Sequence, residues 1–316
     1  MDAAMALIQL IAGIILLALG GDSLVKAASG LSRRMGLSPF TTGLVLVAFA
    51  TSIPELAVNL RAIALGEPAL ALGNAVGSNI ANFGLALGAA ALCAPLLVRW
   101  KALPALLLCL VLATVATILL AQDGRLSRLD GALLVAAFAV VLGVSWHLGR
   151  RQAELRETLE EFARTHTSPA LNLLRLAIAA ALLWFGARWV VAGALGLGPA
   201  LGMEALVLGL LPVAIGTALP EVAAAIAAAR RGQGDLVAGH VIGSSLVNLL
   251  LVVGGMALVR DVHVPASFVH VELPASLALA ALLLPMLRGD LEVSRAEGGV
   301  LLLAFLGWLG LELAMS

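Results

Sequence analysis

Residues 49–55, Phe49-Ala50-Thr51-Ser52-Ile53-Pro54-Glu55, and residues 215–221, Ile215-Gly216-Thr217-Ala218-Leu219-Pro220-Glu221, are one stretch written twice. A second matching segment follows each copy. It is Gly73-Asn74-Ala75-Val76-Gly77-Ser78-Asn79-Ile80-Ala81-Asn82 in the first and Gly239-His240-Val241-Ile242-Gly243-Ser244-Ser245-Leu246-Val247-Asn248 in the second. A single offset of 166 residues aligns Thr51 with Thr217, Pro54 with Pro220, Glu55 with Glu221, Ser78 with Ser244 and Asn82 with Asn248. Each copy places a glutamate and a proline inside an apolar run long enough to cross a bilayer. An internal repeat around intramembrane carboxylates points to a transporter with its site at the repeat interface.

Composition agrees. Of 316 residues, 61% are apolar and 12% charged, with a mean hydropathy of +1.07. A soluble domain carries about twice that charge fraction. The net charge of zero gives no electrostatic footprint for nucleic acid. Cys93 and Cys109 lie in apolar stretches without a pairing motif and read as packing residues. The N-terminal apolar run has Asp2 and no basic segment before it, so it does not read as a cleaved leader. It also belongs to the repeat, since residues 16–25 align with 182–191 at the same offset.

A membrane-spanning helix needs about 20 apolar residues. Candidate spans cover 5–27, 38–64, 70–94, 102–121, 130–148, 171–194, 203–229, 236–259, 268–287 and 298–314. The expected fold is an all-α membrane protein of ten transmembrane helices. Residues 1–148 form a first five-helix repeat with its motif at 43–88, and 171–316 a second with its motif at 209–254. Residues 149–170 form a charged connector whose composition suits a solvated helix. Five crossings are odd, so the second half starts on the opposite side and the repeats are inverted. With the N-terminus outside, 14 of the 19 Lys and Arg residues fall in cytoplasmic segments and 5 outside. The positive-inside rule therefore puts both termini outside and the connector in the cytoplasm.

The chemistry lies with the twin glutamates. A charged side chain at bilayer depth costs a few kcal/mol, and no Lys or Arg is within one helical turn of Glu55 or Glu221. Pro54 and Pro220 lack an N–H, so the carbonyls of Ala50 and Gly216 lose their helical partners. Irregular backbone at this depth is tolerated where it lines a cavity or binds an ion. Thr51 and Glu55, spaced i, i+4, share a face that Asn59 continues, and Thr217 and Glu221 repeat the spacing. Asn74, Ser78 and Asn82 form a stripe at i, i+4, i+8, matched by His240, Ser244 and Asn248. Apart from His240 these are oxygen donors, which suit hard cations such as Ca2+ and Na+. His240 reads either as a peripheral histidine with its hydrogen bonds met or as a proton-sensing modulator. Asp22 and Lys26, at i, i+4, read as an interfacial ion pair. No nucleophile constellation or metal-binding His pair supports an intramembrane enzyme, and a scaffold has no need of twinned buried carboxylates.

At these residues the chain resembles the cation/calcium exchanger superfamily, in particular its prokaryotic sodium/calcium exchanger-like members. Their repeats read G-T-S-x-P-E followed by G-N-x-x-G-S-N-x-x-N/D, and the likeness extends over nearly the whole chain. The resemblance implies that Glu55 and Glu221 coordinate calcium. It implies that Thr51, Ser52, Thr217, Ser78, Asn82, Ser244 and Asn248, with nearby carbonyls, hold sodium. It implies an antiporter of Ca2+ and Na+ in the prokaryotic inner membrane, working by alternating access with no resident cofactor. The expected partners are inorganic cations and the lipid bilayer. Three departures stand out. Ala50 replaces a glycine, Ala218 replaces a serine, and Asn248 stands where many members carry aspartate, with Ser245 in place of the neighbouring asparagine. Two carboxylates match one Ca2+, two Na+ or two H+, so proton-coupled exchange of Ca2+ or another cation is the alternative.

Overall fold

Gly66 and Gly232 are one repeat offset apart and share a left-handed backbone, with φ of +83° and +73°. Each ends a helix in the same way. The N–H of the next residue reaches back five positions, Glu67 to the Ala62 carbonyl at 2.9 Å and Gln233 to that of Ala228 at 3.1 Å. This is the glycine-terminated cap, open to glycine because no Cβ clashes there. The computed structural model of the chain describes residues 2–32, 52–98, 103–149, 168–230, 232–286 and 292–315, and repeats of this kind run throughout it.

The helices are α1 (Ala3–Ser32), α2 (Ile53–Ala64) and α3 (Pro68–Cys93, with a π-helical turn over Asn82–Leu87). They continue with α4 (Leu103–Leu120), α5 (Arg128–Gly149) and α6 (Pro169–Leu201). In α7, Ala205–Leu219 is continued by Glu221–Ala229; then come α8 (Gly234–Val259, with a π-helical turn over Val247–Val253), α9 (Phe268–Met286) and α10 (Arg295–Met315). Both ends of α3 map onto those of α8 by adding 166. Short strands β1 (Leu96–Leu97), β2 (Arg125–Leu126), β3 (Val262–His263) and β4 (Glu292–Val293) link the helices. Here too β1 corresponds to β3 and β2 to β4, the latter at 167. At that offset a capping box is duplicated as well. Ser127 N–H donates to Asp130 Oδ2, and Ser294 N–H to Glu297 Oε2, both at 2.8 Å, while each serine hydroxyl accepts from the acidic residue's N–H at 3.3 Å. The S-x-x-D/E spacing starts α5 and α10.

Among the described residues, eight helices are long and apolar enough to cross a membrane, and nine if α7 counts as one span across its bend. The span expected at 38–64 has only its second part, α2, among the described residues. Of the connector expected at 149–170, residues 150–167 lie outside them, as do most of the basic residues expected in the cytoplasm. Among the described residues the fold is all-helical apart from the two-residue strands, which the apolar pattern did not announce.

Helices α3 and α8 form the centre. In each, 78% of the membrane-length window is buried, against 22–44% in the other six that meet the length and hydropathy requirement unbroken. Small residues let the backbones meet, as they do in membrane interiors where dispersion and close approach replace the hydrophobic drive. A Cβ on Gly77 of α3 would come within 2.7 Å of the Leu210 carbonyl in α7, and one on Gly209 within 2.8 Å of the Asn74 N–H. Likewise α1 lies along α6, where a Cβ on Gly13 would meet the Val190 N–H at 2.7 Å and one on Gly193 the Ala6 carbonyl at 2.6 Å. Ile8, Ile11 and Ile15 of α1 and Trp184 of α6 are exposed, an apolar outer face suited to lipid. The two ladders tie the halves together: β1 pairs antiparallel with β4, and β2 with β3. Asp22 and Lys26 form the expected ion pair at 2.6 Å, well exposed. Both cysteines are free and half-buried.

Candidate functional site

Glu55 and Glu221 are both buried, and none of their four carboxylate oxygens has a hydrogen-bond donor. The two carboxylates lie near enough for their charges to interact. Thr217 lies beside Glu55, and Asn82 beside Glu221, so each carboxylate meets a polar side chain from the opposite half. Among the described residues no Lys or Arg pairs with either glutamate.

Four helices converge here. Helix α2 brings Ser52, at its N-cap, and Glu55, in its first turn. Helix α7 brings Thr217 and Glu221. Helices α3 and α8 bring Ser78, Asn79 and Asn82, and Ser244, Ser245 and Asn248. All are buried. Of the four π-helical turns among the described residues, two begin at Asn82 and at Val247, by the paired asparagines, and a third covers Gly209–Val213 of α7. A π turn widens the helix and loosens its hydrogen-bond ladder, a local feature common at functional sites.

The hydroxyls and amides bind one another across the centre. Ser52 Oγ lies 2.9 Å from Ser244 Oγ, and Asn82 Nδ2 donates to the same Ser244 oxygen at 3.3 Å. Asn79 Nδ2 donates to the Ser245 carbonyl at 3.2 Å, and Asn248 Nδ2 to Asn79 Oδ1 at 3.2 Å. Asn79 was not among the candidate residues, yet it bridges α3 and α8 through both ends of its amide. Its signal was its place as the asparagine of the G-S-N motif, which Ser245 replaces in the second copy. Thr217 Oγ1 donates to its own helix, at the Ala214 carbonyl 3.2 Å away. Ser78 Oγ, Asn82 Oδ1 and Asn248 Oδ1 are buried and unpartnered. Together with the glutamates they form a buried set of oxygens without positive charge beside them. Among the described residues no three His, Cys, Asp or Glu side chains cluster as a metal site, so an ion here would depend on two carboxylates and neutral oxygens.

Three expectations need adjustment. Thr51 and Ala50 lie outside the described residues. The expected break beside Glu221 is a bend: α7 stays helical and turns by 45° between Leu219 and Glu221, the response of a helix to a proline that removes one hydrogen bond. Gly216 is buried beneath Ile14 of α1. In the first copy Pro54 sits in the first turn of α2, where its missing N–H leaves no helical bond unmade. The reading of His240 as peripheral and satisfied is overturned. Its Nε2 has no hydrogen-bond partner and points at Glu221, 3.9 Å from Oε1. Its counterpart Asn74 instead donates to Asn59 Oδ1 at 2.8 Å, and Ala225 stands where a second Asn59 would be, leaving the imidazole without that partner.

A profile of the sodium/calcium exchanger protein family matches residues 5–147 and again 171–313. The inner membrane protein YrbG of Escherichia coli is 38% identical over 261 residues, 79% of this chain and 78% of that one. The sodium/calcium exchanger MaX1 of Methanosarcina acetivorans is 29% identical over 95% of this chain and 96% of its own. A solved structure of the sodium-calcium exchanger NCX_Mj, soaked with Na+ and Sr2+, superimposes with a TM-score of 0.68 at 27% identity, covering 98% of this chain and 99% of that one. The chain belongs to the sodium/calcium exchanger protein family.

Proposed function

We propose that this protein is a secondary antiporter that exchanges Ca2+ for Na+ by alternating access, with Glu55 and Glu221 as shared ligands. The observation that carries the reading is the set of four buried carboxylate oxygens without donors. Two ionised carboxylates in a low-dielectric interior repel each other and lack the partners that would offset their desolvation. One divalent cation, or two monovalent ones, supplies both. Hard oxygen donors in number, two of them charged, suit Ca2+ over softer ions. Ser52, Ser78, Asn82, Thr217, Ser244 and Asn248, and Thr51 with the carbonyls of Ala50 and Gly216, are the further ligands in this reading.

Inverted repeats of five spans give such a site two equivalent states. The strand pairing supports them. Helix α4 has 18 residues, about 27 Å of rise, so β1 and β2 sit at opposite ends of it. Since β1 pairs with β4 and β2 with β3, the repeat-related strands β1 and β3 belong at opposite ends too. Pairing of β2 with β3 also needs an even number of crossings between them, which α5, α6, α7 and α8 supply if bent α7 spans the bilayer. With the orientation that the basic residues favour, the same parity fits β1 and β4 in the cytoplasm and β2 and β3 outside. An inner-membrane location fits the relative from Escherichia coli.

Calcium flux into proteoliposomes, with sodium and pH gradients imposed separately, tests the coupling. Uptake driven by an outward sodium gradient at uniform pH is expected. Uptake driven by a pH gradient in sodium-free buffer, and not by sodium, would replace Na+ with H+ as the coupling ion.

A further inference from the structure

The second half of the repeat brings a nitrogen to an otherwise all-oxygen site. His240 Nε2 and both Glu221 oxygens are buried and lack hydrogen-bond partners, and the gap from Nε2 to Oε1 is 3.9 Å. That is too long for a hydrogen bond and suits an ion between them. Metal bonds of about 2.1 Å to each atom would meet at roughly 135°; bonds of about 2.4 Å, as for calcium, at roughly 110°. Distance therefore admits either kind of ion, and donor chemistry separates them. Imidazole adds little for Ca2+, whereas first-row transition metals take imidazole and carboxylate together. The first half has no such group: Asn74, in the matching position, is tied to Asn59.

We propose that His240 and Glu221 form a mixed nitrogen–oxygen ligand pair that extends the transported cations to divalent first-row transition metals such as Mn2+. The inference rests on the carboxylate site proposed above and adds one ligand to it. In this arrangement Mn2+ is held between the His240 imidazole and the Glu221 carboxylate, with neutral oxygens of the centre completing its shell. His240 then sets selectivity between transition metals and Ca2+.

Mn2+ supplied below one equivalent to the purified full-length protein tests this by pulsed EPR. Modulation from a directly bound imidazole nitrogen is expected in the wild type and is lost in His240→Asn, which copies the residue of the first half. Titration of the same proteins is expected to show Mn2+ affinity reduced by about 10-fold in His240→Asn, a larger loss than in Ca2+ affinity. A wild-type Mn2+ spectrum without nitrogen coupling overturns the proposal without any variant. Nitrogen coupling that persists in His240→Asn overturns it equally. Glu221→Gln separates this from the underlying reading. If it removes Ca2+ and Mn2+ binding while the Mn2+ spectrum lacks nitrogen, the histidine inference alone fails. If it leaves both ions bound, the carboxylate site itself fails.

Discussion

Ser52 and Ser244 meet hydroxyl to hydroxyl at 2.9 Å, whereas their repeat counterparts, Ala218 and Ser78, form no such bond and leave the Ser78 hydroxyl unpartnered. One missing oxygen thus makes the two halves of the centre chemically different. Ser52→Ala is expected to lower stability by roughly 1 kcal/mol, the net worth of a buried hydrogen bond. Ala218→Ser is expected to be neutral or stabilising, because it restores the hydroxyl opposite Ser78, whose own Oγ lacks a partner. Thermal unfolding of the purified variants measures both. Equal loss in the two would show that the asymmetry is not set by this bond.

The glutamates make a stronger prediction. Glu55→Gln and Glu221→Gln should each abolish gradient-driven Ca2+ flux while the protein stays folded, since the isosteric amide keeps packing and removes charge. Ca2+ should also raise the unfolding temperature of the wild type. At 100 times its dissociation constant a ligand adds about 2.7 kcal/mol, and neither variant should gain it. Full exchange by either variant would remove the glutamates from the site.

Much of this was legible before any coordinates, for a physical reason. Glu55, Pro54 and the Gly-Ser-Asn stretch recur at one offset, and a carboxylate at membrane depth is too costly to be incidental. What escaped was whatever depends on how helices cross. His240 and Glu221 lie on different helices, and nothing in their spacing gives the depth at which α7 and α8 approach. Asn79 hid for the same reason, because its partners Ser245 and Asn248 are across the interface. The two-residue strands left no alternating pattern to read. At Pro220 the expected break takes the form of a 45° bend, because a proline removes one hydrogen bond and its neighbours can keep the helix.

Buried Asn59 and Asn74 hold α2 to α3 through a 2.8 Å hydrogen bond. Truncating either alone strands the other's amide, at a cost of about 1–3 kcal/mol. Asn59→Ala with Asn74→Ala should cost less than the two single changes added together. A double-mutant cycle on unfolding free energy checks this, and strict additivity would mean the bond contributes nothing in the membrane.

Backbone contact between α3 and α7 sets a limit on residue size. Gly209→Ala would press a methyl against the Leu70 carbonyl and the Asn74 N–H, both backbone atoms that cannot rotate away. A loss of about 1–3 kcal/mol is expected from overpacking, with flux falling as the glutamate-bearing helix is displaced. Gly66→Ala meets nothing within 4 Å and suffers only its positive φ, so about 1 kcal/mol is expected. If the order of the two were reversed, close helix approach would not be what holds the centre.

The strand ladders offer a direct test of inversion. Leu97 opposes Glu292, and Arg125 opposes His263. Antiparallel partners lie about 4.5–5.5 Å apart at Cα, within disulfide range. Leu97→Cys with Glu292→Cys, and Arg125→Cys with His263→Cys, should each cross-link on oxidation. An impermeant thiol reagent applied to sealed, right-side-out vesicles should react with the Arg125 and His263 variants and spare those of Leu97 and Glu292 until the membrane is opened. Inverted repeats require this split, because β1 and β3 are the same element in the two halves. Labelling of Leu97→Cys and His263→Cys from the same side would make the repeats parallel and remove the two-state symmetry on which alternating access depends.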